Sequence, residues 1–90
     1  MEIKDSIESA LRQRLEAVRV EVEDDSPLHQ GHAGAAGGGG HFRVKVVSEQ
    51  FHNKTRLERH RMVYAALQEY IPSSIHALSV HALTPEEENR

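Results

Sequence analysis

The chain has 90 residues, enough for one domain with a single core, and 38% of them are hydrophobic. A net charge of −3 gives no overall attraction to nucleic acid or anionic lipid, so a nucleic-acid function needs a local basic patch. The absence of cysteine excludes a disulfide, a thiolate metal site and a thiol nucleophile. The charged N-terminal sequence MEIKDSIESA is unlike a signal peptide, and no apolar run has the roughly 20 residues of a membrane span. We expect one domain over residues 1–90, in the cytoplasm and without membrane attachment.

The first segment has the pattern of a helix that leads into a strand. Its apolar residues recur at steps of four and three, which is typical of one face of an amphipathic helix. These residues are Ile3, Ile7, Leu11, Leu15 and Val18. Val18, Val20 and Val22 then alternate with charged residues, which predicts a half-buried strand. A mobile loop is expected at about residues 27–40, where all six glycines lie.

The second half of the chain predicts two more strands around a helix. HFRVKVVS alternates like a strand, and residues 49–55 are polar, with a short helical turn expected around Phe51. A helical stripe follows, which Pro72 should end. Its members are Leu57, His60, Val63, Tyr64, Leu67, Tyr70 and Ile71. The range 75–82 predicts the last strand, and the charged residues 85–90 are expected to fray.

This order of elements predicts an α+β fold with a mixed sheet. The first two strands, joined by a loop, should pair antiparallel. The third strand, reached through a helix, can lie parallel to one of them by a right-handed crossover. The expected architecture is a three-stranded mixed sheet with helices on one face.

Three segments, HFRVKVVSEQF, RHRMVYAALQEYI and IHALSVHALTPEE, resemble the BolA family in wording and in order. The stretch DDSPLHQGHAG lies where that family has the loop between its first two strands, and the likeness to bacterial members runs from about Ile3 to Glu87. The resemblance implies an α-β-β-α-α-β order similar to type II KH domains. The short helix between Gln50 and Leu57 is expected chiefly from this resemblance.

Seven histidines in so short a chain suggest metal chemistry, since neutral imidazole is a common ligand. His76 lies on the last strand, where alternation puts it on the side of Leu78 and Val80. A loop of about 14 residues spans roughly 20 Å, so His29 or His32 can approach His76. Two imidazoles do not complete a metal site, and another molecule must supply the remaining ligands.

The resemblance to the BolA family implies which molecule supplies these ligands. BolA-like proteins form heterodimers with monothiol glutaredoxins and share a bridged [2Fe–2S] cluster, for which the glutaredoxin and a bound glutathione supply thiolates. The positions implied here are His76 and a loop histidine, either His29 or His32. The isolated chain is expected to hold no cofactor and to be a monomer or a weak homodimer.

The other histidines have simpler interpretations. We expect His41, His52 and His81 to be structural or exposed. His60 lies on the helical stripe, where a hydrogen-bonded core histidine is expected.

The alternative function is a DNA-binding transcriptional regulator of stress response or morphology, which some bacterial BolA-like proteins resemble in role. Four basic residues gather around the start of the main helix and could engage phosphates. They are Lys54, Arg56, Arg59 and Arg61. Against this alternative, no glycine follows Gly40, so the GXXG clamp of KH domains is missing.

Two other functions do not fit the sequence. GGGGHF leads into a strand and not into a helix, which excludes a phosphate-binding loop of the usual kind. Ser26 and His29 offer hydrolase residue types, but a mobile loop does not hold a nucleophile against its base. The chain is not expected to be an enzyme.

Overall fold

The computed structural model of the protein describes residues 3–24 and 40–89. In these ranges the elements are α1 (Ile3–Arg14), β1 (Arg19–Asp24), β2 (Gly40–Val47), α2 (Arg56–Ala66), β3 (Ile75–Leu83) and α3 (Pro85–Glu88). Two 3-10 turns, Glu49–Phe51 and Gln68–Tyr70, flank α2. The turn predicted around Phe51 is therefore present. None of the helices in these ranges is long and apolar enough to cross a membrane.

The three strands form one sheet in the order β1-β2-β3. β1 pairs antiparallel with β2, with Val20 opposite Val46, and β2 pairs parallel with β3, with Val44 opposite Val80. The predicted three-stranded mixed sheet is confirmed. Because β2 and β3 are parallel, their first residues meet at one end of the sheet and their last residues at the other.

The core lies between one face of the sheet and the helices. Ile7 and Leu11 of α1 and Val63 of α2 are fully buried, as are Val44 and Val46 at the centre of β2. β1 and β3 are the edge strands, so the middle strand is the most completely covered. Branched aliphatic residues at alternate strand positions and at helical spacing thus supply the core, as their periods predict.

Both long helices end earlier than their apolar patterns predict. α1 ends at Arg14, and Val18 lies outside it with 62% of its surface exposed. α2 ends at Ala66 because Leu67 leaves helical geometry at φ −114° and ψ 13°. Tyr64 is 41% exposed, although the stripe predicted it to be buried. Its hydroxyl donates to the Leu78 carbonyl at 3.0 Å, so the ring lies beside the edge strand β3 and outside the core.

The C-terminal segment is a capped helix, and the expectation that residues 85–90 fray is wrong over Pro85–Glu88. The Thr84 hydroxyl accepts from the Glu87 amide, and the Glu87 carboxylate accepts from the Thr84 amide. This reciprocal pair is a capping box, and proline at the first helical position suits it. The sequence TPEE at residues 84–87 contains the capping-box pattern, but the prediction took account only of its high charge.

Candidate functional site

His76 lies at an irregularity where β3 begins. Gly40 pairs with Ile75, but the next residue of β2, His41, pairs with Ala77. β3 therefore has one residue more than β2 at this point, as in a β-bulge, and His76 is that residue. Such a residue is released from the alternation of the strand.

The extra residue brings two imidazoles together. The rings of His41 and His76 are stacked, with centroids 5.5 Å apart and planes at 24°. His41 alternates with the buried Phe42, so it lies on the sheet face away from α1 and α2, and the ring of His76 is beside it. The expectation that His76 shares the side of Leu78 and Val80 is wrong, because the bulge shifts the alternation.

The two rings differ in exposure, which suits different roles. His76 is exposed, whereas His41 is half-buried. His41 was expected to be merely structural or exposed, and its place beside His76 was missed. The sequence left open which of the first two strands the third one joins, and only the parallel pairing of β2 with β3 puts their first residues side by side.

The loop candidates His29 and His32 lie outside the described residues. The described chain resumes at Gly40, whose amide donates to the Ser74 carbonyl at 2.9 Å. Gly40 is thus held at the end of the sheet where His41 and His76 lie.

The remaining histidines are spread over other surfaces. His81 is exposed on β3, as expected. His52 is also exposed, and its Nε2 lies 2.7 Å from Glu49 Oε1. His60 is half-buried and lines a surface cleft, so the expected core position for it is wrong.

A basic cleft lies between the start of α2 and the edge strand β3, with a volume of about 610 Å³. Lys54, Arg56 and Arg59 line it together with His60 and His81. The structure thus brings together three of the four predicted basic residues. Arg61 is exposed and is not part of the lining.

Arg59 differs from the other basic residues because its side chain is only 14% exposed. It donates to the carbonyls of Lys54 and Ala82, both at 3.1 Å, and to Glu87 Oε1 at 2.7 Å. Its guanidinium also lies over the Phe51 ring, 5.9 Å from the centroid. Hydrogen bonds from Arg59, then from the Thr84 amide, lower the pKa of Glu87 from 4.5 to about 2. Arg59 therefore ties α2 to β3 and α3, and its predicted role as a phosphate contact does not fit this geometry.

Comparison with known proteins assigns the fold to a family. The family model described as BolA-like protein matches residues 11–87. The chain belongs to the BolA family. It is 39% identical over 87 residues to the Escherichia coli (strain K12) protein named DNA-binding transcriptional regulator BolA. The aligned residues cover 97% of this chain and 80% of that protein.

Plant and animal proteins also match this BolA-family chain. It is 42% identical over 86 residues to SufE-like protein 1, chloroplastic/mitochondrial, of Arabidopsis thaliana, which covers 90% of this chain and 23% of that one. Protein BOLA1, chloroplastic, of the same plant is 42% identical over 80 residues, which make up 86% of this chain and 50% of that protein. The chain thus spans half or less of these two relatives.

Solved structures agree with the fold. The BolA domain of SufE1 from Arabidopsis thaliana superposes with a TM-score of 0.81 at 38% identity, covering 97% of this chain and 96% of that one. BolA1 from Mus musculus has a TM-score of 0.80 at 37% identity and covers 99% and 70% of the two chains. The three-stranded mixed sheet with its helices is thus the BolA arrangement.

Proposed function

We propose that this BolA-family chain co-ligates a bridged [2Fe–2S] cluster with a monothiol glutaredoxin in the cytoplasm, and that the heterodimer acts in cluster trafficking or iron sensing. The observation that carries the proposal is the exposed imidazole of His76 at the bulge of an edge strand. An edge strand leaves this ring accessible to a second protein.

The donor set of the chain fits a shared cluster. The chain has histidine but no cysteine, so the thiolates come from the glutaredoxin and from glutathione. Imidazole in place of thiolate raises the reduction potential of such a cluster, as in Rieske centres. His29 or His32 serves as the second imidazole ligand, and both remain candidates.

His41 acts on His76 as a positioning residue. A stacked neighbour 5.5 Å away restricts rotation of an exposed ring that would otherwise sample several rotamers. A ligand held in one orientation loses less conformational entropy when it binds.

Cluster assembly tests this proposal. Purified chain is mixed with a monothiol glutaredoxin, glutathione, iron and sulfide, and visible circular dichroism is compared with that of the glutaredoxin alone. We expect the wild-type chain to alter the spectrum of the glutaredoxin. His81→Ala, a matched change on the same strand, should alter it in the same way, whereas His76→Ala should leave it unchanged. His29→Ala and His32→Ala then identify the loop ligand. An unchanged spectrum with wild type, or equal spectra for wild type and His76→Ala, would refute the proposal.

The basic cleft supports a second candidate function, DNA binding. Lys54 and Arg56 are exposed on one wall of the cleft, and the Escherichia coli relative is named a DNA-binding regulator. Phosphate contacts by these side chains would make binding strongly dependent on salt.

A duplex of promoter DNA titrated at several salt concentrations tests the second candidate. We expect Lys54→Ala and Arg56→Ala each to reduce the salt slope by about 1, whereas Lys4→Ala on α1 leaves it unchanged. Equal slopes for all three variants would exclude the cleft as the DNA site. Arg59 is unsuitable for this test because its side chain is engaged within the fold.

A further inference from the structure

A second group of potential metal ligands lies at the end of the sheet opposite His76. Val47 and Leu83, the last residues of the parallel strands β2 and β3, are paired, and the Ser48 amide donates to the Leu83 carbonyl at 2.9 Å. A short helical element follows each strand directly. The ends of two parallel strands therefore bring the 3-10 turn Glu49–Phe51 against α3.

Three side chains converge where these elements meet. His52 Nε2 lies 2.7 Å from Glu49 Oε1 and 3.1 Å from Glu86 Oε1. One ligand atom from each of the three residues lies within 4.8 Å of the others. Two carboxylates thus face the same ring nitrogen, and a single proton on that nitrogen donates well to only one of them.

Buried anchors fix both supporting elements. Phe51 is fully buried, and the buried Ser48 caps the 3-10 turn by accepting from the Gln50 amide at 3.0 Å. The Ser48 hydroxyl also donates to the Leu15 carbonyl at 2.6 Å. On the other side, Thr84 is buried and caps α3. The ligand atoms are exposed, but the backbone that presents them is held by the core.

The acidic residues of α3 are divided between different partners. Glu87 pairs with Arg59, and Glu88 pairs with Arg19 and Lys45. Glu86 differs, because within residues 3–24 and 40–89 its only ion-pair partner is His52. The same holds for Glu49. Among the residues that the structure describes, no lysine or arginine pairs with either carboxylate, which leaves both available to a cation.

We propose that Glu49, His52 and Glu86 bind a divalent first-row transition-metal ion such as Zn²⁺. One imidazole and two carboxylates are ligands that zinc accepts, and solvent fills the remaining positions. Mg²⁺ is a poor fit because it prefers oxygen ligands in octahedral geometry and gives up water reluctantly. The bound ion joins α3 to the turn before α2. The proposal is independent of the cluster proposal, since Leu83 lies seven strand steps, about 23 Å, from His76.

Zinc titration of the isolated, isotope-labelled chain at neutral pH tests the site through its amide NMR shifts. We expect saturable shifts at residues 49–52 and 84–88 in wild type and in His76→Ala. His52→Ala and Glu86→Gln should weaken zinc binding there at least about tenfold. Loss of a residue that only supports a metal ligand already lowers metal affinity about tenfold or more, and loss of a ligand should lower it at least as much. Glu21→Gln, an exposed change of the same kind on β1, should have no effect.

Three results would overturn the proposal. Shifts at residues 49–52 that survive His52→Ala would assign the zinc to other ligands. The absence of saturation in wild type at millimolar zinc would show that the three side chains do not bind the ion. An equal response to Mg²⁺ would show general attraction of cations. Far-ultraviolet circular dichroism of each variant verifies that it is folded.

Discussion

Replacing Arg59 with alanine should destabilise the protein, although sequence alone suggests that Arg59 is a surface contact for nucleic acid. The side chain crosses from α2 to the edge strand and to α3, and it is 14% exposed. Its donors satisfy the Lys54 and Ala82 carbonyls, and its guanidinium covers the Phe51 ring. Arg59→Ala removes all of these contacts at once.

The loss can be estimated from these contacts. Each hydrogen bond to a carbonyl contributes about 1 kcal/mol, and the cation–π contact about 0.5–1 kcal/mol. We expect the free energy of unfolding to fall by about 2.5 to 3 kcal/mol, before any contribution of the ion pair with Glu87. Proteins are stable by about 0.05–0.15 kcal/mol per residue, so this is a large part of the total.

Urea unfolding of Arg59→Ala measures the loss, with Arg61→Ala as the matched control. Arg61 is exposed, and its replacement should change the free energy of unfolding by no more than about 0.5 kcal/mol. With a urea dependence of about 1–3 kcal/mol per molar, the midpoint for Arg59→Ala should fall by about 1 M or more. Equal midpoints for the two variants would refute the assigned structural role. If the loss is found, reduced DNA binding by Arg59→Ala would not establish a phosphate contact.

Three further substitutions test other contacts of the fold. His41→Ala should leave the chain folded but alter the visible circular dichroism of the assembled cluster complex, and a spectrum equal to wild type would contradict the positioning role. Because the pKa of Glu87 is lowered to about 2 from 4.5, its contribution to stability should be complete above pH 4.5 and lost as the pH falls towards 2. Glu87→Gln should therefore weaken the dependence of the urea midpoint on pH between pH 5 and 2. Identical pH profiles for wild type and Glu87→Gln would count against the ion pair. Phe51→Ala should reduce the free energy of unfolding by about 3 to 5 kcal/mol in the same assay, since the ring is fully buried, and a loss below about 1 kcal/mol would be inconsistent with that burial.

Local patterns were sufficient for much of the fold. Alternation in HFRVKVVS predicts β2, and helical spacing of Ile7 and Leu11 predicts α1. Such patterns fail at helix ends, because the same apolar spacing can continue through a 3-10 turn, as it does beyond Ala66. They also fail for exposed apolar residues such as Leu57, which is 58% exposed although it has helical spacing.

The candidate site was less accessible to sequence reasoning. The IHAL motif, which resembles the BolA family, indicates His76 as a ligand. No sequence pattern in β3 predicts the extra residue that interrupts its alternation. The stacking of His41 on His76 depends on that single residue. Similarly, nothing near Arg59 in the sequence indicates that the carbonyl of Ala82 and the carboxylate of Glu87 will take its donors.

The sequence by itself determined the helix and strand order from α1 to β3 and the absence of thiolate ligands. These properties follow from residue type and short-range period, which act over a few neighbouring positions. Only the tertiary structure decided which imidazoles meet, which arginine is engaged and where Glu49, His52 and Glu86 converge. Residues far apart in sequence become neighbours there, because parallel pairing of β2 with β3 brings their first residues together at one end and their last residues at the other.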